Sequence, residues 1–364
     1  MPRAKIIAGS ICAAVLLSAV SSALAADAPL PAPGFEVTSA RSDLNRPARR
    51  FREAYPGEIV DALAHVTPSK SGGRNRTTTD YSAVVEQIRA AGVARAYLMP
   101  TPNEGGNPRR EDGTTDKIAL AKRAGDLIGI FCAGDYLSTW MYGAQLNGYR
   151  DAELQTRLSR LEGELDGGAC AGIGEFGLLH FNKTGYQPEI RIRSTFPPVL
   201  ALMALAARKG AWIDVHAEPV EPNGVSHEAE VFGGLAVWLQ LNPNLKLILS
   251  HTAMTNPANA RRLLTTYPGV MLTIKRVKAS GTFWVNLEPV LNDRGAIYED
   301  WATLIEEMPT RFMLGSDAKF ASDRHGSGDK YDEEIALFRK VLSSLSPAAA
   351  DAVAHGNARR LLPR

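Results

Sequence analysis

Short apolar runs alternate along most of the chain with segments in which apolar residues recur every three or four positions. The runs have the length and composition of buried strands, and the segments between them have the period of amphipathic helices. We predict eight strands, at 58–66, 94–100, 127–134, 171–179, 211–218, 245–251, 270–276 and 311–317. This alternation favours repeated strand–helix units that build one parallel sheet.

Several of the predicted helices have recognisable ends. Asp80 is placed to cap the helix after the first strand, and Gly92 to end it. The segment that begins with Phe196 carries prolines in its first turn and stops at Gly210. Eight strand–helix units in roughly 300 residues predict an α/β fold, a single-domain (β/α)8 TIM barrel. An open doubly wound sheet is the alternative, but the loop after His65 lacks the glycine spacing of a phosphate loop.

The first residues have the composition of a targeting segment. Arg3 and Lys5 precede an apolar run at 6–20, and Ala23-Leu24-Ala25 has the form of a signal-peptidase site. A membrane anchor is the alternative, but the run is short for a spanning helix. We therefore predict a signal peptide at 1–25, with cleavage near Ala25 and export to the periplasm or medium. An N-terminal extended arm at 26–56 and the barrel domain at 57–364 follow.

Composition limits the partners of the mature chain. Removing Arg3 and Lys5 leaves 39 basic and 39 acidic residues, which argues against nucleic acid or an anionic membrane as a partner. No later stretch is long and apolar enough to span a membrane. Cys132 and Cys170 could pair in an oxidising compartment, but two buried thiols are the favoured interpretation. The sequence does not predict an oligomeric state.

Polar residues gather where the predicted strands end. His65, His216, His251 and Asp317 end the first, fifth, sixth and eighth strands, and Glu175 lies inside the apolar fourth strand. The carboxyl ends of the strands meet at one mouth of a barrel, where active sites of this fold lie. Imidazole nitrogen and carboxylate oxygen are ligands of Zn²⁺-like ions. Each residue alone is explained by an ordinary buried hydrogen bond, but five on different strands predict a metal site.

The other four histidines are predicted to lie in loops or helices, at His180, His227, His325 and His355. Asp214 comes two residues before His216 and shares its face of the strand. It is interpreted either as a group that orients the histidine or as a buried, hydrogen-bonded acid.

Six segments in this order resemble the amidohydrolase superfamily of metal-dependent TIM-barrel hydrolases. They are "IVDALAHV", "GIGEFGL", "DVHAE", "LSHTAM", "DWATLIEEMPTRFMLGSDA" and "GNARRLL", and the resemblance covers about residues 57 to 362. The "GIGEFGL" segment is similar to the fourth-strand glutamate segment of TatD-like hydrolases. The resemblance implies hydrolysis of an ester, lactone, amide or related bond, with Asp317 as general base.

The resemblance also implies a ligand set and one departure from it. In the family pattern the metal ligands fall on His65, Glu175, His216, His251 and Asp317. The first strand of the family normally carries His-x-His, and the first of these histidines is Leu63 here. The deeper metal position therefore loses a ligand, while the position formed by Glu175, His216 and His251 stays complete. One divalent ion, Zn²⁺, is expected.

The sequence is also compatible with two other functions. Relatives of this fold decarboxylate aromatic acids, and a non-catalytic binding protein would also tolerate the loss of one histidine. The predicted mouth loops carry cations that would suit an anionic small-molecule substrate, although solvated loop charges explain them as well; these are Arg74, Arg76, Arg109, Arg110, Lys319 and Arg324. Trp140, Tyr142 and Tyr149 in another predicted loop would stack on a ring or sugar.

Overall fold

The strands of the computed structural model follow the predicted order. The structure describes residues 46–67, 82–102, 113–181, 189–275, 289–321 and 330–362. Within these ranges the strands are β1 (Val60–Thr67), β2 (Arg95–Met99), β3 (Ile128–Ala133), β4 (Gly172–His180), β5 (Ile190–Arg191), β6 (Trp212–Ala217), β7 (Lys246–Leu249), β8 (Val270–Ile274), β9 (Phe312–Leu314) and β10 (Ala318–Ala321).

Helices separate most of these strands. In the described ranges they are α1 (Ser82–Ala90), α2 (Gly113–Ala124), α3 (Gly134–Asn147), α4 (Asp151–Asp166), α5 (Pro197–Lys209), α6 (Glu228–Leu241), α7 (Pro257–Thr266), α8 (Glu299–Glu307), α9 (Tyr331–Leu342), α10 (Pro347–Asp351) and α11 (Asn357–Leu361). α5 has prolines in its first turn and ends at Gly210 in the left-handed conformation, as its sequence predicts. The cap predicted at Asp80 lies outside the described residues.

The sheet closes into a barrel through β9 and β10, which together correspond to the predicted eighth strand. The strand order is β10-β1-β2-β3-β4-β6-β7-β8-β9, and every neighbouring pair along it is parallel. β9 pairs with β8 and β10 pairs with β1, so these two strands are parts of one segment interrupted at 315–317. The interruption lets the chain cross from one neighbour to the other and completes the barrel. The predicted (β/α)8 TIM barrel is confirmed.

Apolar side chains fill the barrel interior below the mouth. One buried cluster contains Leu63, Tyr97, Phe131, Ile248 and Met313, which come from five different strands. Leu63 is fully buried in this cluster, two residues before His65. A larger cluster lies between the sheet and the surrounding helices. The mouth is thus the part of the barrel in which polar side chains collect.

The described part of the arm, residues 46–56, packs on the helices that follow β8. Arg46 forms an ion pair with Asp300 in α8 at 2.7 Å. The hydroxyl of Tyr55 donates to Asp351 in α10 at 2.6 Å. Among the described residues, no helix has the length and apolar character needed to cross a membrane. The proposed signal peptide lies outside the described residues.

The structure corrects the interpretation of the two cysteines as free thiols. Cys132 at the end of β3 and Cys170 just before β4 form a disulfide, with Cα atoms 5.8 Å apart. Adjacent parallel strands bring the two positions into range, which a separation of 38 residues in sequence does not reveal.

The predicted loop that contains Trp140, Tyr142 and Tyr149 is also corrected, because most of it belongs to α3. Trp140 and Tyr149 contact each other with ring centroids 5.9 Å apart, and Tyr149 contacts Phe196 at 5.7 Å. Tyr142 packs against the core cluster. These rings therefore hold α3 to its neighbours instead of forming a free stacking surface.

Candidate active site

Glu175 of β4 lies at the centre of the polar cluster in the mouth. Its side chain is 3% exposed, and three histidine side chains surround it. Nδ1 of His216 is 2.9 Å from Oε1, Nε2 of His251 is 3.6 Å from the same oxygen, and Nε2 of His65 is 3.4 Å from Oε2. A side chain at Gly134 would clash with the backbone of Glu175, so the glycine allows α3 to begin directly against it. The structure thus brings histidines from three other strand units to one carboxylate.

The surroundings of Glu175 keep it ionised. Burial alone would raise its pKa, but the positive charge and hydrogen bond of His216 hold that pKa below its usual value. Behind it, burial and the charge of Glu175 raise the pKa of Asp214 well above its usual range. Ser250 Oγ donates to Asp214 at 2.5 Å. Asp214 is therefore a buried, hydrogen-bonded acid next to the ionised glutamate.

Both ring nitrogens of His216 face carboxylates. Nδ1 meets Glu175, and Nε2 is 2.9 Å from Oε1 of Glu218. Glu218 is fixed in turn because its Oε2 accepts from the backbone N–H of Phe181 at 3.0 Å. Burial lowers the pKa of His216, but the two glutamates outweigh it and raise the pKa to about 9. A neutral ring has one N–H for two carboxylates, so this arrangement calls for a proton or a metal ion on the ring.

A turn of unusual backbone conformation presents His251. The predicted strand runs to this histidine, but β7 ends at Leu249 and residues 251–254 follow with φ between 48° and 57°. Left-handed backbone costs non-glycine residues about 1–2 kcal/mol each. The N–H of His251 donates to Thr273 Oγ1 at 3.1 Å, which helps to hold the turn. Burial and nearby Lys275 lower the pKa of His251 well below its usual value, so the ring is neutral.

Asp317 lies in the break between β9 and β10, also with a left-handed φ of 52°. Its N–H donates to the carbonyl of Leu63 at 2.9 Å. Its Oδ1 is 2.8 Å from Nε2 of His65, and its Oδ2 pairs with the ammonium of Lys275. Burial would raise the pKa of Asp317, but the ammonium of Lys275 holds it well below its usual range. Asp317 is an ionised carboxylate at the rim of the cluster.

The hydrogen bond of His65 fixes which nitrogen faces the carboxylates. Nδ1 lies 2.9 Å from the carbonyl oxygen of Met99, which only accepts, so Nδ1 carries the hydrogen. In the neutral ring Nε2 then turns a lone pair toward Asp317 and Glu175. Nε2 is buried and, despite its short distance to Asp317, is not aligned for a hydrogen bond. A nitrogen lone pair that faces two carboxylates in this way attracts a cation.

One set of three side chains has the geometry of a metal site. Ligand atoms of Glu175, His216 and His251 lie within 4.8 Å of one another, and all three residues are buried. His65 and Asp317, also predicted as ligands, lie beside this set and not within it. A nitrogen and oxygen donor set of this kind suits a divalent ion such as Zn²⁺. The residues present therefore fit a metal ion.

A second set of three shares His216 and includes His180 and Glu218. His180 was predicted in a loop or helix, but it is the last residue of β4, and its ring centroid is 5.3 Å from that of His216. Glu218 bonds the outer nitrogen of His216, which is how carboxylates commonly orient metal-binding histidines. This set is therefore best explained as support for the first.

The predicted substrate-binding cations lie mostly outside the described residues. Arg74, Arg76, Arg109, Arg110 and Arg324 fall in the gaps between the described ranges. Lys319 is described: it is exposed on β10, in register with His65 of β1. Its charge contributes to the low pKa of Asp317.

Comparisons with solved structures show the same fold. The chain is similar to IDCase from Metarhizium anisopliae, with 13% identity, a TM-score of 0.52, and coverage of 84% of this chain and 97% of the other. For 4-oxalomesaconate hydratase from Rhodopseudomonas palustris the values are 11%, 0.51, 84% and 95%. For 2,6-dihydroxybenzoate decarboxylase they are 13%, 0.50, 84% and 98%. Identities this low support the fold alone.

Sequence comparison supplies the family. No curated protein gives a significant match. The family model described as Amidohydrolase matches residues 183–364, which is half of the chain. The matched half contains His216, His251 and Asp317, and its partners His65 and Glu175 come from the strands before it. The chain therefore belongs to the amidohydrolase family.

Proposed function

We propose that the protein is a metal-dependent hydrolase that cleaves an ester, lactone, amide or related bond of a small molecule. One observation carries this proposal. The ionised carboxylate of Asp317 lies beside the nitrogen and oxygen donor set, with its Oδ2 4.0 Å from Nε2 of His251. A potential base and a potential metal site thus share the mouth of one barrel, where this fold carries its chemistry.

Glu175, His216 and His251 would hold the ion, which we expect to be Zn²⁺. The two carboxylates around His216 support a cation at this place. A divalent ion bound there would lower the pKa of water in the site to about 7 and polarise a scissile carbonyl. Glu218 would keep the ring of His216 in the orientation that ligation needs.

Asp317 would move the proton. Its low pKa keeps it ionised at neutral pH, so one of its carboxylate oxygens accepts the proton of the attacking water. A carboxylate of low pKa also gives this proton up readily to the leaving group. The ion pair of Oδ2 with Lys275 holds the carboxylate in place. The exposed ammonium of Lys319 would favour substrates with an anionic substituent.

The test is a substrate screen with product analysis. Purified mature protein would be assayed on esters, lactones, phosphoesters and amides in ¹⁸O-labelled water. A hydrolase places the label in the product, and activity is lost with a chelator and recovered on adding Zn²⁺. Release of CO₂ without label incorporation would instead identify a lyase, a reaction that the decarboxylase among the structural neighbours makes worth testing. Tight ligand binding without turnover would identify a binding protein.

We also propose that the protein acts outside the cytoplasm. The n-region, apolar run and cleavage site at 1–25 support export. The disulfide between Cys132 and Cys170 is of the kind that persists in oxidising compartments.

A further inference from the structure

Lys275 is a cation at the edge of the candidate metal site that the proposed mechanism does not require as a base or ligand. It is the first residue after β8, and its side chain is 17% exposed. Its ammonium pairs with Oδ2 of Asp317. The side chain is thus largely withdrawn from solvent and placed against the carboxylate that faces the histidines.

A second set of donors converges on Nε2 of His65. Oδ1 of Asp317 is 2.8 Å away, and Oε2 of Glu175 is 3.4 Å away. One imidazole nitrogen and two carboxylate oxygens are as many protein ligands as a catalytic divalent ion usually has. The other oxygen of Glu175, Oε1, faces His216 and His251. The two carboxylate oxygens of Glu175 therefore face two different positions, and each position is lined by atoms that can ligate a metal ion.

The two positions differ in their charge balance. At the position around Oε1 of Glu175, the other two ligating groups are the imidazole rings of His216 and His251. At the position around His65, the ammonium of Lys275 already compensates Asp317. An ion placed there would share one carboxylate with another positive charge. Leu63, two residues before His65, adds no ligand because it lies in the apolar interior cluster.

We propose that the ammonium of Lys275 takes the place of a second metal ion. It neutralises Asp317 and keeps divalent ions from the position formed by His65, Asp317 and Glu175, so that the site holds one ion. The inference rests on the proposed function in one respect, since it takes Glu175, His216 and His251 as the ligands of that ion.

The experiment counts metal ions per chain in the wild type and in matched variants. Lys275→Met removes the charge and keeps the length of the side chain, whereas Lys275→Arg keeps the charge. Each full-length mature protein is loaded with excess Zn²⁺, desalted and measured by elemental analysis, with calorimetric titration for weaker binding. We expect about one ion in the wild type and in Lys275→Arg, and two in Lys275→Met. Adding Asp317→Asn to Lys275→Met should return the count to one.

The outcomes separate the two proposals. One ion in Lys275→Met, with a native circular dichroism spectrum, overturns the role of Lys275 and leaves the proposed function standing. No ion in any of the proteins overturns the metal site itself. Two ions in the wild type also overturn the inference, because Lys275 would then not prevent the second from binding. Lys275→Gln, which is shorter and polar, replaces Lys275→Met if the latter does not fold.

Discussion

At the scale of single residues, the backbone of Asp317 makes the choice of a test variant clear. Its φ of 52° is a conformation that aspartate and asparagine tolerate better than other side chains with a Cβ atom. Asp317→Asn therefore keeps the turn but removes the proton acceptor. We expect kcat to fall at least about a hundredfold, the scale of a general base. Steady-state kinetics on a substrate from the screen would measure this.

The control for this variant is Asp332→Asn, an exposed acid in the first turn of α9. It should leave turnover unchanged. The metal content of Asp317→Asn should also be unchanged, because Asp317 lies outside the set of Glu175, His216 and His251. Wild-type turnover in Asp317→Asn would show that the carboxylate is only the structural partner of Lys275.

The rule that strand ends carry the site selects His65, His216, His251 and Asp317 from sequence, and Glu175 is selected as an acid inside an apolar strand. Three neighbours are left out. Lys275 directly follows β8, but a lysine near a strand end is usually solvated, so the pattern offers no reason to select it. Glu218 follows His216 by two positions on the same face, and this spacing was a usable sign. His180 was placed outside β4 by one residue. Which ring nitrogen meets which carboxylate depends on side-chain rotation, which no sequence pattern encodes.

At the scale of elements, the strands could be predicted but their ends at the site could not. The apolar run before His251 predicts a strand to residue 251, and the structure ends it at Leu249. The predicted eighth strand likewise breaks at 315–317, between β9 and β10. Both breaks put non-glycine residues at positive φ; Gly315 begins the second break, but its own φ is not positive. The local backbone preference of these residues is overridden at the site by the surrounding structure.

The disulfide is an element-scale feature whose contribution can be measured. Closing a loop with a sequence separation of 38 residues stabilises a protein by about 4 kcal/mol in the loop-entropy model. The double variant Cys132→Ala/Cys170→Ala should therefore lower the free energy of unfolding by up to that amount in urea titrations. Reductant should destabilise the wild type and leave the double variant unchanged. Two thiols that react in denatured, unreduced wild type would contradict the pairing.

At the scale of the whole molecule, the barrel could be predicted because its pattern repeats. Eight apolar runs separated by helical periods leave few alternatives, and the absence of a phosphate-loop spacing after His65 argued against the open sheet. Contacts between elements far apart in the chain could not be predicted from the sequence. The pairing of β10 with β1 and the contact of Tyr55 with Asp351 join residues far apart in sequence.

Export is a prediction about the whole chain. Because 1–25 has the composition of a signal peptide, the mature protein recovered from the periplasm or medium should begin near Ala26. Mass spectrometry of the intact protein and of its N-terminal peptide would establish this. A variant with Ala23→Leu and Ala25→Leu should be processed poorly. Soluble cytoplasmic protein that retains Met1 would contradict the prediction.

The number of divalent ions bound by the wild-type protein tests the proposed metal site directly. Elemental analysis after loading and desalting should find about one ion per chain, because Glu175, His216 and His251 form one complete set and Lys275 compensates Asp317. Glu175→Gln should abolish binding, while Glu333→Gln on the exposed face of α9 should not. Activity that persists in a wild type free of metal would contradict the account, since Asp317 and His65 would then act as an acid–base pair without an ion.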